Sequence, residues 1–208
     1  RRFYKVDADV VHPPVAVDQF ETTAERGDFY LCAGQLVPYK RADLAVRAFT
    51  RMGKRLVVIG EGAQASVLRK AAGPTVELLG YQPFDVLRDH LARCRALIFP
   101  GEEDFGILPV EAMASGRPVI AFDAGGARET VSSETVGLRF PEQTEESLIE
   151  AVARFEAMEA SFDPAAIRRH AETFSAGIFR QRMHQLINSL LIERGNQELS
   201  QAPQPVIG

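Results

Sequence analysis

Five short apolar runs, each ending in a turn and followed by a stretch of helical spacing, constrain this chain more than any other feature of its sequence. They are Phe29–Ala33, Leu56–Ile59, Val76–Leu79, Ala96–Phe99 and Pro118–Phe122, and glycine follows closely after the first four. Runs of this length, almost free of polar residues, fit strands buried on both faces. Between them, Ala42–Met52 places Leu44, Ala45, Ala48 and Phe49 on one helical face, Ala63–Ala72 is helical, and Asp85–Cys94 aligns Leu87, Leu91 and Cys94. Strands alternating with helices predict an α/β fold, a Rossmann-like doubly wound parallel sheet with right-handed crossovers. A ligand is then expected beyond the carboxyl ends of the strands.

The flanks read differently. His12-Pro13-Pro14 is stiff and extended, so residues 1–14 form an incoming, interdomain segment ahead of a Rossmann-like body over 15–175. After Phe140 the pattern turns helical. Glu145–Met158 forms one helix and Asp163-Pro164 caps a second. Ala176–Glu193 forms a third, with Phe179, Met183, Leu186, Ile187, Leu190 and Leu191 on a stripe. This predicts a long C-terminal helix over 176–194 and a disordered tail over 195–208.

Composition narrows the function classes. With 46% hydrophobic residues, 208 residues can bury a substantial core. The net charge of −4 comes without a basic block, which argues against nucleic acid or an anionic membrane surface as partner. Cys32 and Cys94 sit in apolar settings without metal-ligand spacing and read as buried thiols, as expected of a cytoplasmic protein. No apolar run approaches the roughly 20 residues that cross a bilayer, and no signal-peptide pattern opens the chain. The opening Arg1-Arg-Phe-Tyr suggests a fragment of something longer. None of the four histidines has a partner at useful spacing, and packing or surface roles are the default for them. No metal triad, serine elbow or Cys/His pair supports hydrolysis.

The chemistry concentrates after the fourth run, where Glu103 and Glu111 stand eight residues apart across a predicted helix start. Pro109 fits a first helical turn and Gly116 a helix end, so this short helix is expected over Leu108–Ser115. Its amino end offers free N–H groups and partial positive charge to a phosphate. The two glutamates can accept hydrogen bonds from hydroxyl groups on either side, although paired glutamates near a helix are also often just solvated.

Taken whole, Glu103-Asp-Phe-Gly-Ile-Leu-Pro-Val-Glu111 and its continuation to Ile120 resemble the E-x7-E region of family 4 retaining glycosyltransferases, which have the two-domain GT-B fold. The resemblance extends over residues 4–193 and identifies the chain with the C-terminal, donor-binding half. It implies that Glu103 holds donor-sugar hydroxyls and Glu111 the ribose. Phe105, Gly106, Ile107 and Leu108 would offer backbone to the diphosphate. The segment Gly34-Gln35 to Lys40-Arg41 is similar to the family's second signature, an arginine after a glycine and a lysine five residues on. Lys40 matches the lysine that grips and stabilises the leaving diphosphate, and with Glu103 it is the catalytic candidate. Gln35 replaces the arginine, so Arg41 or a residue elsewhere must compensate, or phosphate binding is weaker. Without the resemblance, Lys40-Arg41 is an ordinary charge pair at a helix start.

Gly60, Gly80 and Tyr81 correspond to turns bordering the nucleobase, although Gly60-Glu-Gly62 also reads as a plain tight turn. Gly125-Gly126 with Glu129 is either a loop near the donor sugar or a turn with a helix-start acid. Leu36–Leu44 together with Gly101–Gly106 is similar to the mannosyltransferase branch that uses GDP-mannose. The resemblance further implies metal-free transfer to a glycan or lipid-linked acceptor in polysaccharide assembly. It implies acceptor and peripheral membrane contacts made by an N-terminal domain missing here, and little transfer by this part alone. A non-catalytic nucleotide-binding scaffold and a GT-B-type sugar-nucleotide epimerase are the alternatives. A nicotinamide dehydrogenase ranks below both, because the third glycine of the dinucleotide fingerprint is missing.

Overall fold

A computed structural model describes the backbone of residues 8–201 and the side chains of residues 8–192. Six strands form one parallel sheet: β1 (Tyr30–Ala33), β2 (Leu56–Ile59), β3 (Val76–Gly80), β4 (Leu97–Phe99), β5 (Val119–Phe122) and β6 (Gly137–Phe140). Their order is β3-β2-β1-β4-β5-β6, the doubly wound arrangement expected from the alternation of strands and helices. The chain reverses its direction of travel across the sheet between β1 and β4, where Leu31 is in register with Leu97. That junction opens a crevice at the carboxyl ends of the two strands.

The helices α1 (Ala42–Met52), α2 (Ala65–Ala71), α3 (Phe84–Arg93), α4 (Ile107–Ala114) and the single turn α5 (Ala127–Thr130) connect successive strands. Beyond β6 lie α6 (Glu145–Met158), α7 (Pro164–Glu172) and α8 (Ala176–Gln201). Helix α1 buries Leu44, Ala45, Val46, Ala48 and Phe49 completely. Full burial of a leucine or phenylalanine side chain contributes about 1.5–3 kcal/mol, so this face anchors the helix far more firmly than its propensity does. The side chain of Thr144 accepts a bond from Ser147 N–H at 3.2 Å to cap α6, and Asp163 caps α7 through Ala165 N–H at 2.9 Å.

Three features depart from expectation. Strand β6 was not foreseen: it is short, and half-buried Arg139 interrupts its apolar run. Helix α4 begins one residue early, at Ile107, with Gly106 as its N-cap at φ +80°. Helix α8 continues past residue 194 to Gln201, so the tail expected to be disordered from 195 is helical as far as described; the helix formers Gln197, Glu198 and Leu199 outweigh Gly195. Residues 202–208 of that tail, and 1–7 of the incoming segment, lie outside the described residues. Along α8, Phe179, Met183 and Leu186 are half-buried, whereas Ile187, Leu190 and Leu191 face solvent. The stripe is thus partly exposed.

Charges at the amino ends of the strands are paired and at least half-buried. Glu156 of α6 accepts hydrogen bonds from Tyr30 Oη at 3.0 Å, from Lys54 Nζ at 2.7 Å and from Arg95 at 3.0 Å. Arg95 also binds Glu159 at 2.6 Å and lies over the Tyr30 ring, 4.9 Å from its centroid. Arg117, only 1% exposed, donates to the carbonyls of Ala92 at 2.5 Å, Thr23 at 2.9 Å and Glu25 at 3.0 Å.

Candidate functional site

At the opposite ends of the strands, beyond β1 and β4, an open cleft of about 710 Å³ is lined by Lys40, Glu103, Phe105, Gly106, Ile107, Leu108 and Glu111, all anticipated from sequence. Lys40 closes a 3-10 turn, Pro38–Lys40, that follows β1. The loop from Gly101 to Gly106 follows β4. These two loops touch: a Cβ on Gly101 would meet Lys40 Cα at 2.8 Å, so glycine alone permits the approach.

Within the cleft, Lys40 Nζ stands 2.9 Å from Glu103 Oε1, an ion pair whose geometry lacks hydrogen-bond alignment. Glu111 is the fifth of the eight residues of α4, one turn in from its start, where burial pushes its carboxyl above the usual range. Among the described residues, no side chain hydrogen-bonds or pairs with the Glu111 carboxylate. The N–H groups of Ile107 and Leu108 likewise find no backbone acceptor among the described residues. Orphan donors, a lysine and a carboxylate pushed up by burial therefore face one space, which suits a ligand with anionic and hydroxyl groups.

Charge is scarce on the cationic side. Lys40 is the one cation in this lining, against Glu102, Glu103, Asp104 and Glu111. Gln35 is exposed, and together with Gly34 it borders a narrow crevice that also touches Lys40 and Glu103. Arg41, a possible replacement for the missing arginine charge, does not reach the cleft. It adopts the left-handed conformation at φ 53° and is held by Asp43 at 3.3 Å and by Gln143 at 3.2 Å. Gly60 and Gly80 meet through Gly60 N–H to Gly80 O at 2.8 Å, at the carboxyl ends of β2 and β3, with Tyr81 exposed beside them. These three residues are outside the cleft lining.

Some neighbours were not evident from sequence. Tyr39 and Pro13 line the cleft; Pro13 belongs to the incoming segment, and only its proximity in space reveals it. Gly125-Gly126, left open between loop and turn, packs against the glutamate loop: Gly126 N–H donates to Glu103 O at 2.8 Å, and a Cβ on Gly126 would meet Phe105 Cα at 2.3 Å. Glu129 contacts His12. The thiols of Cys32 and Cys94 are buried, and burial pushes each up to about 12, so neither is poised to react. Among the described residues no three His, Cys, Asp or Glu side chains are placed to hold a metal ion, and no helix is long and apolar enough to cross a membrane.

Comparisons with known proteins agree with this picture. Residues 28–157 match the profile of the family described as "Glycosyl transferases group 1". The D-inositol 3-phosphate glycosyltransferase of Mycobacteroides abscessus is 29% identical over 191 residues, covering 80% of this chain and 43% of that protein. The GDP-mannose-dependent alpha-mannosyltransferase of Mycobacterium tuberculosis is 35% identical over 122 residues, covering 58% of this chain and 32% of that protein. The chain thus spans less than half the length of either relative. Anabaena HepE, solved in complex with UDP and glucose, shares the fold with a TM-score of 0.74 over 87% of this chain and 56% of that one, at 18% identity. The doubly wound sheet is therefore that of GT-B glycosyltransferases, and with its profile match spanning more than half of its residues, this chain belongs to the group 1 glycosyl transferases.

Proposed function

We propose that the cleft binds a nucleoside diphosphate sugar, with GDP-mannose as donor, and that this chain is the donor-binding half of a retaining hexosyltransferase. The observation that carries this is the convergence of Lys40, Glu103, Glu111 and the free N–H groups of α4 on one cleft at the switch point. In this reading the diphosphate lies against the amino end of α4. There Lys40 and the N–H groups of Ile107 and Leu108 stabilise the charge that develops on it as the glycosidic bond breaks. Glu103 accepts hydrogen bonds from sugar hydroxyls, which requires Lys40 to turn from Glu103 toward phosphate. Glu111 accepts from the ribose, a bond that offsets the cost of keeping its carboxylate charged in a half-buried position. Gly60, Gly80 and Tyr81 border the base.

The mannosyl donor is supported by the resemblance and by the relatives that use GDP-mannose. The acceptor, a glycan or lipid-linked sugar, is expected to bind a second domain, so this polypeptide alone binds donor and transfers little. No metal is required, because lysine and the helix terminus supply the positive potential. Calorimetric titration with GDP, UDP and GDP-mannose tests the proposal. It expects GDP to bind more tightly than UDP, with both Glu111→Ala and Lys40→Ala weakening it. Binding of UDP alone overturns the mannosyl donor, and undiminished binding by the two variants overturns the site.

A further inference from the structure

His12 lies far from the motifs in sequence, yet it is packed against the loop that carries Glu103. Its ring stacks on Phe105, with centroids 5.5 Å apart and planes 29° from parallel. Its Nε2 contacts Glu129 Oε2. The edge of Phe174 closes the group from below, 5.5 Å from His12 and 5.6 Å from Phe105. Phe174 is tied in turn to the incoming segment, since Val15 N–H donates to Phe174 O at 2.9 Å and Val15 bridges to Ser175. Glu129 belongs to α5, the turn whose N-cap is Gly126, and Gly126 N–H donates to Glu103 O at 2.8 Å. Among the described residues His12 Nδ1 is buried without a partner, and the polar link of this ring runs through Nε2.

Two routes therefore join His12 to Glu103: through Phe105 along the loop, and through Glu129 and α5 to the Glu103 carbonyl. We propose that His12 is a positioning residue. It clamps the Glu103–Phe105 loop between the incoming segment and the turn into α8, and so fixes where the Glu103 carboxylate meets the donor sugar. Neither motif contains it, and an ordinary packed histidine would need no contact with Glu129. The assignment to the sugar end of the site rests on the donor-binding reading above; the clamp itself does not.

The test uses His12→Phe, which keeps the stack on Phe105 but loses Glu129, and His12→Ala, which loses both. Hydrogen exchange of the Gly126 amide, whose acceptor is Glu103 O, is followed beside that of Leu31 in the core. Loss of one aromatic stack and one hydrogen bond should speed Gly126 exchange about tenfold in His12→Ala and less in His12→Phe, with Leu31 unchanged. Affinity for GDP-mannose should fall more than affinity for GDP, because only the former engages Glu103. Unchanged Gly126 exchange in the folded variants overturns the clamp. Accelerated exchange with equal loss for both ligands keeps the clamp but overturns its role toward the sugar. Accelerated exchange in a chain that binds no nucleotide keeps the clamp and instead defeats the donor-binding proposal.

Discussion

The two ends of the sheet are built from similar residues put to opposite use. At the amino ends, Lys54, Arg95, Glu156 and Glu159 neutralise one another, and Arg117 donates to three carbonyls. At the carboxyl ends, Glu111 and the first N–H groups of α4 are left without partners among the described residues, and Lys40 is held by a single misaligned ion pair. A buried polar group left unpartnered costs stability. The charged groups at the amino end avoid that cost, although the Thr75 hydroxyl ahead of β3 finds no partner among the described residues; the charged groups at the carboxyl end retain it where a ligand can supply the missing partners. The comparison teaches that the charged groups of scaffold and site are distinguished by how fully they are paired rather than by their composition.

The contrast is broken most severely at Arg117. Replacing it with leucine leaves the Ala92, Thr23 and Glu25 carbonyls without their donor in a buried place. The expected loss is about 3 kcal/mol in urea unfolding, with nucleotide affinity of the folded fraction unchanged. A smaller effect of opposite kind is expected at the other end. Gln35→Arg adds a cation beside Lys40 and should strengthen GDP binding about tenfold with little change in stability, read by calorimetry at two salt concentrations.

Titration sharpens the comparison further, because the two ends shift carboxylates in opposite directions. Burial acts to raise Glu156, but hydrogen bonds from Lys54 and Tyr30 outweigh it and hold this carboxyl below the ordinary range. Its contribution is therefore present above the unfolded carboxylate range and lost as pH falls through the lowered folded value. Glu156→Gln should cost about 1 kcal/mol near neutrality and nothing once pH drops below that value. Glu111 is raised by burial, so its charged form opposes folding above the raised value, and below the unfolded value there is no effect. Glu111→Gln should give a small gain in melting temperature at neutral pH that disappears in acid, together with weaker nucleotide binding.

Much of this was legible beforehand. Strands β1, β2, β4 and β5 announced themselves because burial on both faces leaves an unbroken apolar run; edge strand β3 keeps Val76, Leu78 and Leu79 around exposed Glu77. Strand β6 did not, since Arg139 turns to Asp123 at 3.2 Å and breaks that run. Lys40 and the glutamate loop were legible because their chemistry lies in contiguous stretches after strands. Arg41 was misleading: adjacency to Lys40 in sequence suggests a shared site, but the left-handed turn at φ 53° sends its side chain to Asp43 and Gln143. His12 and Glu129, 117 residues apart, carry no local signal of their meeting.

The most direct test of the central contrast sets one lysine from each end side by side. GDP is titrated into the unaltered chain, Lys40→Ala and Lys54→Ala, with unfolding measured on the same samples. Loss of a charge-assisted contact at Lys40 should lower GDP affinity between about tenfold and a hundredfold at nearly unchanged stability. Lys54→Ala should lose stability by about 1 kcal/mol and keep its affinity. Equal affinity losses in the two variants, or full affinity in Lys40→Ala, would contradict the division of this sheet into a satisfied scaffold end and an unsatisfied binding end.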